Sequence, residues 1–353
     1  MVRVLRVGAV VLALGLLSLP GTAAPDPVAA VALYKAADRQ QVLESAARRE
    51  GRLLLYSALS LEEANPLLEA FTKKYPFIRA EIYRASTEDV ALKVITEYRG
   101  RKYLADVIEL SNIDLGKVQN EGILTPFLSP RAGAYPRSAK SAQGYWVMTR
   151  ANMLVAGYNT RLVAAADVPK SYDDLLNPRW QGKMAIEADD QIWLASLWEF
   201  WGEARAREYF ARLGRQGLQV RKGHSALAEL ISAGEVPLSP HVYNHRAEQL
   251  KRRGAPMDWT VLDPVVAVPQ MIGLARRAPN PNAAMLFIDY MLSAEGQGVL
   301  AKLGRVVAHP FVASDPPYLG RGFRYITLDP AKFLAQFDRY NGLWEELLVR
   351  AGR

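Results

Sequence analysis

Small polar side chains follow three predicted strands at the points where those strands end. Ser57 and Ser60 come after the first strand, Ser86 after the second, and Ser111 and Asn112 after the third. In α/β proteins the carboxyl ends of parallel strands share one edge of the sheet, and ligands bind there. The pattern therefore predicts a binding site for a small polar ligand at this edge.

Predicted helices that begin at Ser60, Ser86 and Ser225 direct free backbone N–H groups toward the same edge. Helix N-termini of this kind favour anionic ligands. A serine at a helix start also caps the helix, which stabilises it by about 0.5–2 kcal/mol. Glu62 and Glu88 in the first turns partly neutralise two of the helix dipoles, so plain capping stays open as the alternative.

Two histidines and one tryptophan in the second half of the chain could contact a ligand. His241 and His245 are four residues apart, which on a helix would place two imidazoles on one face as metal ligands. Pro240 indicates a loop that leads into a helix, so we favour a polar contact from His245 to the ligand. Trp193 lies off the apolar face of its predicted helix, and it either faces a cleft or packs as a partly exposed side chain.

Signatures of catalysis are missing from the sequence. There is no cysteine, which excludes thiol nucleophiles, Cys-ligated zinc and iron–sulfur clusters. Gly-x-Ser-x-Gly, Walker-type, Gly-x-Gly-x-x-Gly and His-Glu-x-x-His motifs are also absent. His224 and Ser225 are a base and a hydroxyl side by side, but adjacent side chains rarely face each other. We therefore expect no enzyme, with an exported hydrolase as the weakest alternative.

The composition is that of an ordinary globular protein. The 353 residues include 50% apolar and 23% charged residues, and the net charge is +8. These values exclude disordered, low-complexity and collagen-like chains, and the length favours two domains. Basic residues are dispersed, and their densest cluster, at 249–253, has no interleaved aromatic residues. We expect no nucleic-acid partner.

Residues 1–24 have the features of a secretory signal peptide. Arg3 and Arg6 precede an apolar stretch from Val7 to Leu19, and small residues follow it. The stretch is shorter than the roughly 20 residues that a membrane-spanning helix needs. Cleavage would leave a net charge of +6, because the two arginines are lost from +8. We expect a periplasmic or extracellular protein.

Strands and helices alternate along the rest of the chain, which predicts an α/β fold with a mostly parallel sheet. The predicted strands lie at 52–56, 78–83, 106–110, 153–158 and 183–187, with a strand pair over 265–274. The predicted helices lie at 32–50, after Ser60 and Ser86, at 171–176, after a cap at Asp190, at 225–233, at 282–292 and at 293–303.

An ordered set of short motifs resembles one known family over nearly the whole chain after residue 24. The motifs are Leu55-Tyr-Ser57, Ala105-Asp-Val107, Gly122-Ile-Leu-Thr-Pro126, Tyr158-Asn-Thr160, Val168-Pro-Lys-Ser-Tyr-Asp-Asp-Leu175, Pro178-Arg-Trp-Gln-Gly-Lys183, Ala233-Gly-Glu235, Pro281-Asn-Ala-Ala284, Phe287-Ile-Asp289 and Glu295-Gly-Gln297. The chain resembles the extracellular solute-binding proteins of ABC importers (solute-binding family 1), in the group that includes ferric-ion-binding proteins.

The resemblance implies a periplasmic binding protein-like fold of two α/β lobes, joined by two crossover strands and closing on the ligand like a hinged clamp. It places residues 30–153 and 266–353 in the first lobe and residues 154–265 in the second. It also implies a monomer that delivers a solute to an inner-membrane permease with a cytoplasmic ATPase. No cofactor is expected. A sensor that reports to a receptor is an alternative that the sequence does not separate from import.

The resemblance also bears on the ligand. Ferric-binding relatives coordinate iron through an acidic or histidine residue and an adjacent tyrosine pair, whereas the matching positions here are Ser60, Ser111, Asn244 and His245, next to Tyr243. Iron prefers anionic oxygen ligands. We therefore expect a small organic anion, such as a phosphonate, phosphate ester or carboxylate, and keep ferric iron as the alternative.

Arginine side chains could bind such an anion through paired hydrogen bonds. Arg84, Arg150 and Arg246 are the candidates for this contact. No residue is predicted as a metal ligand. The full set predicted to bind the ligand is Ser57, Ser60, Arg84, Ser86, Ser111, Asn112, Asp190, Trp193, His224, Ser225, Tyr243 and His245.

Overall fold

The computed structural model describes residues 27–351. The predicted signal peptide at 1–24 therefore lies outside the described residues. Within residues 27–351, none of the helices has the length and apolar character that crossing a membrane requires.

The first part of the chain alternates strands and helices. Its helices are α1 (Pro27–Ala32), α2 (Arg39–Glu50), α3 (Leu61–Lys74), α4 (Thr87–Arg99) and α5 (Asn112–Asn120). Its strands are β1 (Arg52–Ser57), β2 (Arg79–Arg84), β3 (Val107–Ser111), β4 (Leu124–Thr125) and β5 (Val147–Asn159).

The second part continues the alternation and ends in helices. Its strands are β6 (Ala185–Glu187), β7 (Gln219–Arg221), β8 (Leu238–Tyr243), β9 (Met257–Thr260), β10 (Val265–Ala275), β11 (Val306–Val307) and β12 (Tyr325–Ile326). Its helices are α6 (Gln191–Trp201), α7 (Glu203–Gly214), α8 (His224–Ala233), α9 (Asn244–Arg252), α10 (Pro281–Met291), α11 (Ala294–Lys302), α12 (Pro330–Ala335) and α13 (Phe337–Trp344). Short 3₁₀ helices cover Pro130–Ala134, Arg137–Ala139, Ala165–Asp167, Asp173–Leu176, Pro178–Trp180 and Pro317–Leu319, and a π-helical turn covers Glu345–Val349.

Local sequence signals explain where the first helices begin. The backbone N–H of Ser60 donates to Oε2 of Glu63 at 3.2 Å in a capping box at the start of α3. Oγ of Ser86 accepts from the backbone N–H of Asp89 at 3.1 Å at the start of α4. Oγ of Ser111 accepts from the backbone N–H of Asp114 at 3.1 Å at the start of α5. These serines therefore cap helices, which is the alternative to ligand binding that the sequence analysis left open.

One large sheet connects the two halves of the molecule, with the central strand order β11-β5-β10-β3-β1-β2. β1 is parallel to both β2 and β3, but β10 is antiparallel to β3 and to β5. The predicted mostly parallel sheet is therefore wrong for the centre. Two long strands run in opposite directions there and give the sheet its antiparallel part.

β5 and β10 are the two strands that cross the molecule. β5 pairs with β11 through residues 150–151 and then with β8 and β9 through residues 154–159. β10 is one continuous buried strand over Val265–Ala275, so the predicted strand pair at 265–274 is wrong. The sequence shows only unbroken apolar character there, which does not distinguish one strand from two.

The C-terminal helices pack against the segment that contains α6 and α7. Nε1 of Trp344 donates to the carbonyl of Ala188 at 2.8 Å, and the hydroxyl of Tyr340 donates to Glu199 at 3.0 Å. Gly214 in α7 is needed for this packing, because a Cβ there would lie 1.8 Å from the carbonyl oxygen of Leu347. The division into lobes stays a prediction, and these contacts connect the C-terminal helices to α6 and α7.

Candidate functional site

A buried carboxylate lies on β3 and contacts side chains from β1 and, across β10, from β5. Glu109 on β3 is fully buried and accepts hydrogen bonds from Oγ of Ser57 at 2.6 Å and from Oγ1 of Thr149 at 2.8 Å. Arg150 on β5 forms an ion pair with the same carboxylate and is 2% exposed. The predicted strand-end residue Ser57 thus belongs to a closed network around one ion pair.

A second buried ion pair lies next to the first. Nη1 of Arg305 donates to Oε1 of Glu63 at 2.9 Å, and Nη2 of Arg305 donates to the side chain of Asn152. Burial raises the pKa of Glu63, but the nearby charges of Arg305 and Arg150 lower it below the usual range. We call Glu63, Glu109, Arg150, Arg305 and His245 the arginine cluster.

His245 is the uncharged member of the arginine cluster at neutral pH. Burial lowers the pKa of His245 well below its usual value, and the charge of Arg305 lowers it further. Glu63 opposes this shift, whereas Arg150 and Arg246 add to it. Nδ1 of His245 has no hydrogen-bond partner among the described residues.

We expect stability to fall as the pH drops below about 6.5, the ordinary pKa of histidine. The unfolded chain then binds a proton at residue 245 while the folded protein does not. This costs up to about 1.4 kcal/mol per pH unit until the folded-state pKa is reached. Urea unfolding at several pH values between 7 and 5 should show a shallower slope for His245→Gln than for the unchanged protein.

His309→Gln is the control for this pH experiment. Burial alone lowers the pKa of His309, with no arginine contribution, so its replacement should change the slope less. Equal slopes for His245→Gln and the unchanged protein would contradict the assignment of a neutral His245.

Tyr243 connects the arginine cluster to a second polar group. Its ring stacks on His245 with a centroid distance of 5.4 Å and on His224 with a centroid distance of 4.0 Å. Burial raises the pKa of the Tyr243 phenol, and the charges of Asp190 and Glu88 raise it further. The phenol is therefore protonated at neutral pH and is available as a hydrogen-bond donor.

The second polar group consists of Asp190, His224 and His241. Oδ2 of Asp190 lies 2.8 Å from Nδ1 of His241 and 3.7 Å from Nε2 of His224. One possible ligand atom from each side chain lies within 4.8 Å of the other two. The sequence predicts no metal ligands, yet the fold brings together three side chains of the metal-binding kind.

Several predicted roles in this region are corrected by the structure. Asp190 precedes α6, but its carboxylate makes no capping hydrogen bond and faces the histidines instead. His241 lies in β8 and His245 in α9, so the two are not on one helix face. Trp193 does not face a cleft, because it is fully buried and stacks on His241 at 4.5 Å.

Other predicted site residues lie apart from the arginine cluster or have structural roles. Helix α8 begins at His224, so exposed Ser225 is not its cap. Arg84 and Ser86 are exposed. Asn112 is buried and donates to the carbonyl of Leu328 at 3.2 Å, which ties α5 to the C-terminal segment.

Sequence analysis missed part of the arginine cluster. Glu109 lies inside an apolar strand and Glu63 inside a capping motif, so neither was identified as part of the cluster. Arg305 follows Gly304 near the end of a helix and carried no local signal. Arg150 was predicted as an anion contact. The one clue to its ion pair was its position as a charged residue within an otherwise apolar strand, because a buried charge needs a buried partner.

A cavity of about 600 Å³ lies away from both polar groups, beside the edge strand β2. It is lined by side chains that include Tyr56, Tyr83 and Lys93, and by none of the predicted ligand-binding residues. It is a wide groove on the first part of the chain.

Two long antiparallel strands, β5 and β10, cross the molecule, and buried charged groups from distant parts of the chain lie around them. The family model described as "Bacterial extracellular solute-binding protein" matches residues 104–323. The chain belongs to this family, as its resemblance implied.

Solved structures and a curated relative agree with this assignment. AfuA from Actinobacillus pleuropneumoniae with bound fructose-6-phosphate is similar with a TM-score of 0.75, at 20% identity over 85% of this chain and 99% of that one. Iron-bound HitA from Pseudomonas aeruginosa is similar with a TM-score of 0.72, at 19% identity over 84% of this chain and 99% of that one. These likenesses confirm the predicted periplasmic binding protein-like fold. A protein of Salmonella typhi, provisionally named as a 2-aminoethylphosphonate-binding periplasmic protein, is 23% identical over 61% of this chain and 66% of its own length.

Proposed function

We propose that the chain is the exported substrate-binding component of an ABC import system and that it binds a small organic anion at the arginine cluster. The observation that carries the proposal is the presence of two buried guanidinium groups in one cluster, each with an Nε that has no hydrogen-bond partner among the described residues. Family membership supports the transport role, with delivery to a membrane permease and without turnover of the ligand.

The carboxylates of the cluster do not use up the donor capacity of the arginines. A guanidinium carries five N–H donors and no acceptor. A buried donor without a partner costs about 1–3 kcal/mol. An anion with several oxygens would accept hydrogen bonds from Arg150 and Arg305 together and would remove part of this cost.

The electrostatics of the cluster also favour an anion. Burial lowers the pKa of Arg150, and the repelling charge of Arg305 lowers it further. Arg246 adds a third guanidinium near His245. A negative charge bound among the guanidinium groups relieves the part of their repulsion that the paired carboxylates Glu109 and Glu63 leave, whereas a ferric ion would increase it. This is the reason to prefer an anion to iron.

The cluster draws its members from distant parts of the chain, and by the lobe bounds of the sequence analysis only His245 comes from the second lobe. Glu63 comes from α3, Arg150 from β5, His245 from α9 and Arg305 from the segment after α11. The proposed lobes are those of the sequence analysis, with the C-terminal helices contacting the second lobe. Ligand binding would favour the closed arrangement of these elements.

Paired ligands that differ only in charge test the proposal. We expect fructose 6-phosphate, 2-aminoethylphosphonate or a small carboxylate to raise the melting temperature and to give a calorimetric binding isotherm, and fructose to do neither. Binding of neutral sugars or ferric iron without binding of any anion in the panel would contradict it. A neighbouring gene for a permease, as opposed to a sensor kinase, would separate import from sensing.

Arg305→Lys should weaken binding of the responding anion by about 10- to 100-fold, because it keeps the charge but loses the paired donors. Arg324→Lys is the matched control. Arg324 is an exposed arginine paired with exposed Asp263, and its replacement should leave the affinity unchanged. Equal affinities for both variants would place the ligand elsewhere.

A further inference from the structure

The polar group of Asp190, His224 and His241 has ligand atoms without partners. Oδ2 of Asp190, Nδ1 of His224 and both ring nitrogens of His241 are buried. Nδ1 of His241 and Oδ2 of Asp190 contact each other at 2.8 Å, so these two atoms are partners of one another. Buried polar atoms in native proteins are almost always satisfied. Nδ1 of His224 and Nε2 of His241 have no such contact among the described residues, which indicates a missing partner at this group.

The three side chains reach this point from separate elements. Asp190 precedes α6, His224 opens α8 and His241 lies within β8. His241 is held between Trp193, at a centroid distance of 4.5 Å, and the edge-on ring of Trp344, at 6.2 Å. Tyr243 packs on His224 at 4.0 Å. Aromatic packing of this kind restricts the rotamers of both imidazoles, so the ligand atoms are held close together before anything binds.

The separations fit a small metal ion. Ligands about 2.0–2.1 Å from a tetrahedral zinc ion lie about 3.3 Å from one another. Oδ2 of Asp190 lies 2.8 Å from Nδ1 of His241 and 3.7 Å from Nε2 of His224, on either side of this value, so the atom of His224 that would bind the ion is Nε2. Two imidazole nitrogens and one carboxylate oxygen suit zinc and its neighbours in the first transition row, and they suit magnesium or calcium poorly.

We propose that Asp190, His224 and His241 bind a divalent transition-metal ion, zinc-like in its preferences, at a site separate from the arginine cluster. Three protein ligands leave a fourth position for water or another molecule. The side chain of His224 is 14% exposed, so an ion would enter the site from solvent at His224. The proposal does not depend on the anion site, because all three ligands lie outside the arginine cluster.

Calorimetry on chelator-treated full-length protein with zinc chloride tests the site. We expect one zinc ion per chain, and cobalt chloride should give visible absorption bands of the intensity typical of tetrahedral Co²⁺. His224→Ala should weaken zinc binding by at least about 100-fold, since even residues outside the direct ligand set change metal affinity by 10- to 100-fold. His309→Ala is the control and should bind zinc normally, because His309 packs against Tyr135 in the first part of the chain.

Asp190→Asn provides a second variant of nearly unchanged shape, so that the test does not depend on the folding of one protein. It should also weaken zinc binding, and circular dichroism of both variants should match the unchanged protein. Absence of zinc and cobalt binding by the unchanged protein would overturn the proposal. Full zinc affinity in folded His224→Ala and Asp190→Asn would also overturn it.

The same variants separate this proposal from the anion site. Arg305→Lys should bind zinc normally while its anion affinity falls. If zinc binding fails while anions bind, only the metal site is refuted. If zinc binds and no anion in the panel does, only the proposed function fails.

Discussion

Arg150→Met is expected to lower the free energy of unfolding by about 3–5 kcal/mol, because it leaves a buried carboxylate without its ion-pair partner. Glu109 is fully buried, and Ser57 and Thr149 supply only neutral donors in place of the lost charge. Urea unfolding followed by circular dichroism measures the loss. A change below about 1 kcal/mol would show that water or a rearranged side chain satisfies Glu109.

A double variant distinguishes the ion pair from simple packing. Glu109→Gln combined with Arg150→Met removes both charges and keeps a side chain that bonds to Ser57 and Thr149, so it should recover most of the lost stability. Arg179→Met is the surface control. Arg179 pairs with Asp167 where both side chains are about half exposed, and the loss there should be about 0–1 kcal/mol.

Trp193→Ala is expected to lower the free energy of unfolding by about 3–5 kcal/mol, the usual cost of removing a large buried aromatic side chain. Trp193 is fully buried, and its ring contacts His241 at 4.5 Å and Phe210 at 5.3 Å. Thermal and urea unfolding would both report the loss. The result separates the core role seen in the structure from the predicted role in ligand contact.

Phe200→Ala is the matched control for Trp193→Ala, because Phe200 lies on the same helix and is 43% exposed. Its replacement should change the unfolding free energy by about 0.5 kcal/mol or less. Comparable losses for the two variants would mean that Trp193 is less tightly packed than the structure indicates. A Trp193→Ala protein of full stability but weakened anion binding would restore the original prediction.

The sequence predicted the strands and helices around the arginine cluster better than it predicted the members of that cluster. Of the polar residues at the ends of β1 and β3, Ser57 contacts the arginine cluster, because carboxyl ends of neighbouring parallel strands share one edge. Ser57 reaches Glu109 in this way, and the backbone N–H of Ser111 donates to Thr87 at 3.1 Å. Serine at a strand end serves capping and ligand contact equally well, so its type alone did not decide the role.

Helix and strand periodicity fixed which faces are apolar but did not show what lies opposite. Trp193 was expected near a cleft because it lies off the main apolar stripe of α6. The structure buries that face as well, under β8 and the C-terminal helices. A helix covered on two sides needs apolar residues around most of its circumference, and the second covering element begins more than 130 residues further along the chain.

Family, fold class and the absence of thiol chemistry were determined by the sequence, because they rest on local patterns and on composition. The pairing of Glu63 with Arg305, 242 residues apart, was decided only in three dimensions. The grouping of Asp190 with His224 and His241 was decided in the same way. Distant chain segments meet only when the whole core packs. The burial pattern of one segment therefore does not indicate which distant charged residue will pair with a charged residue in that segment.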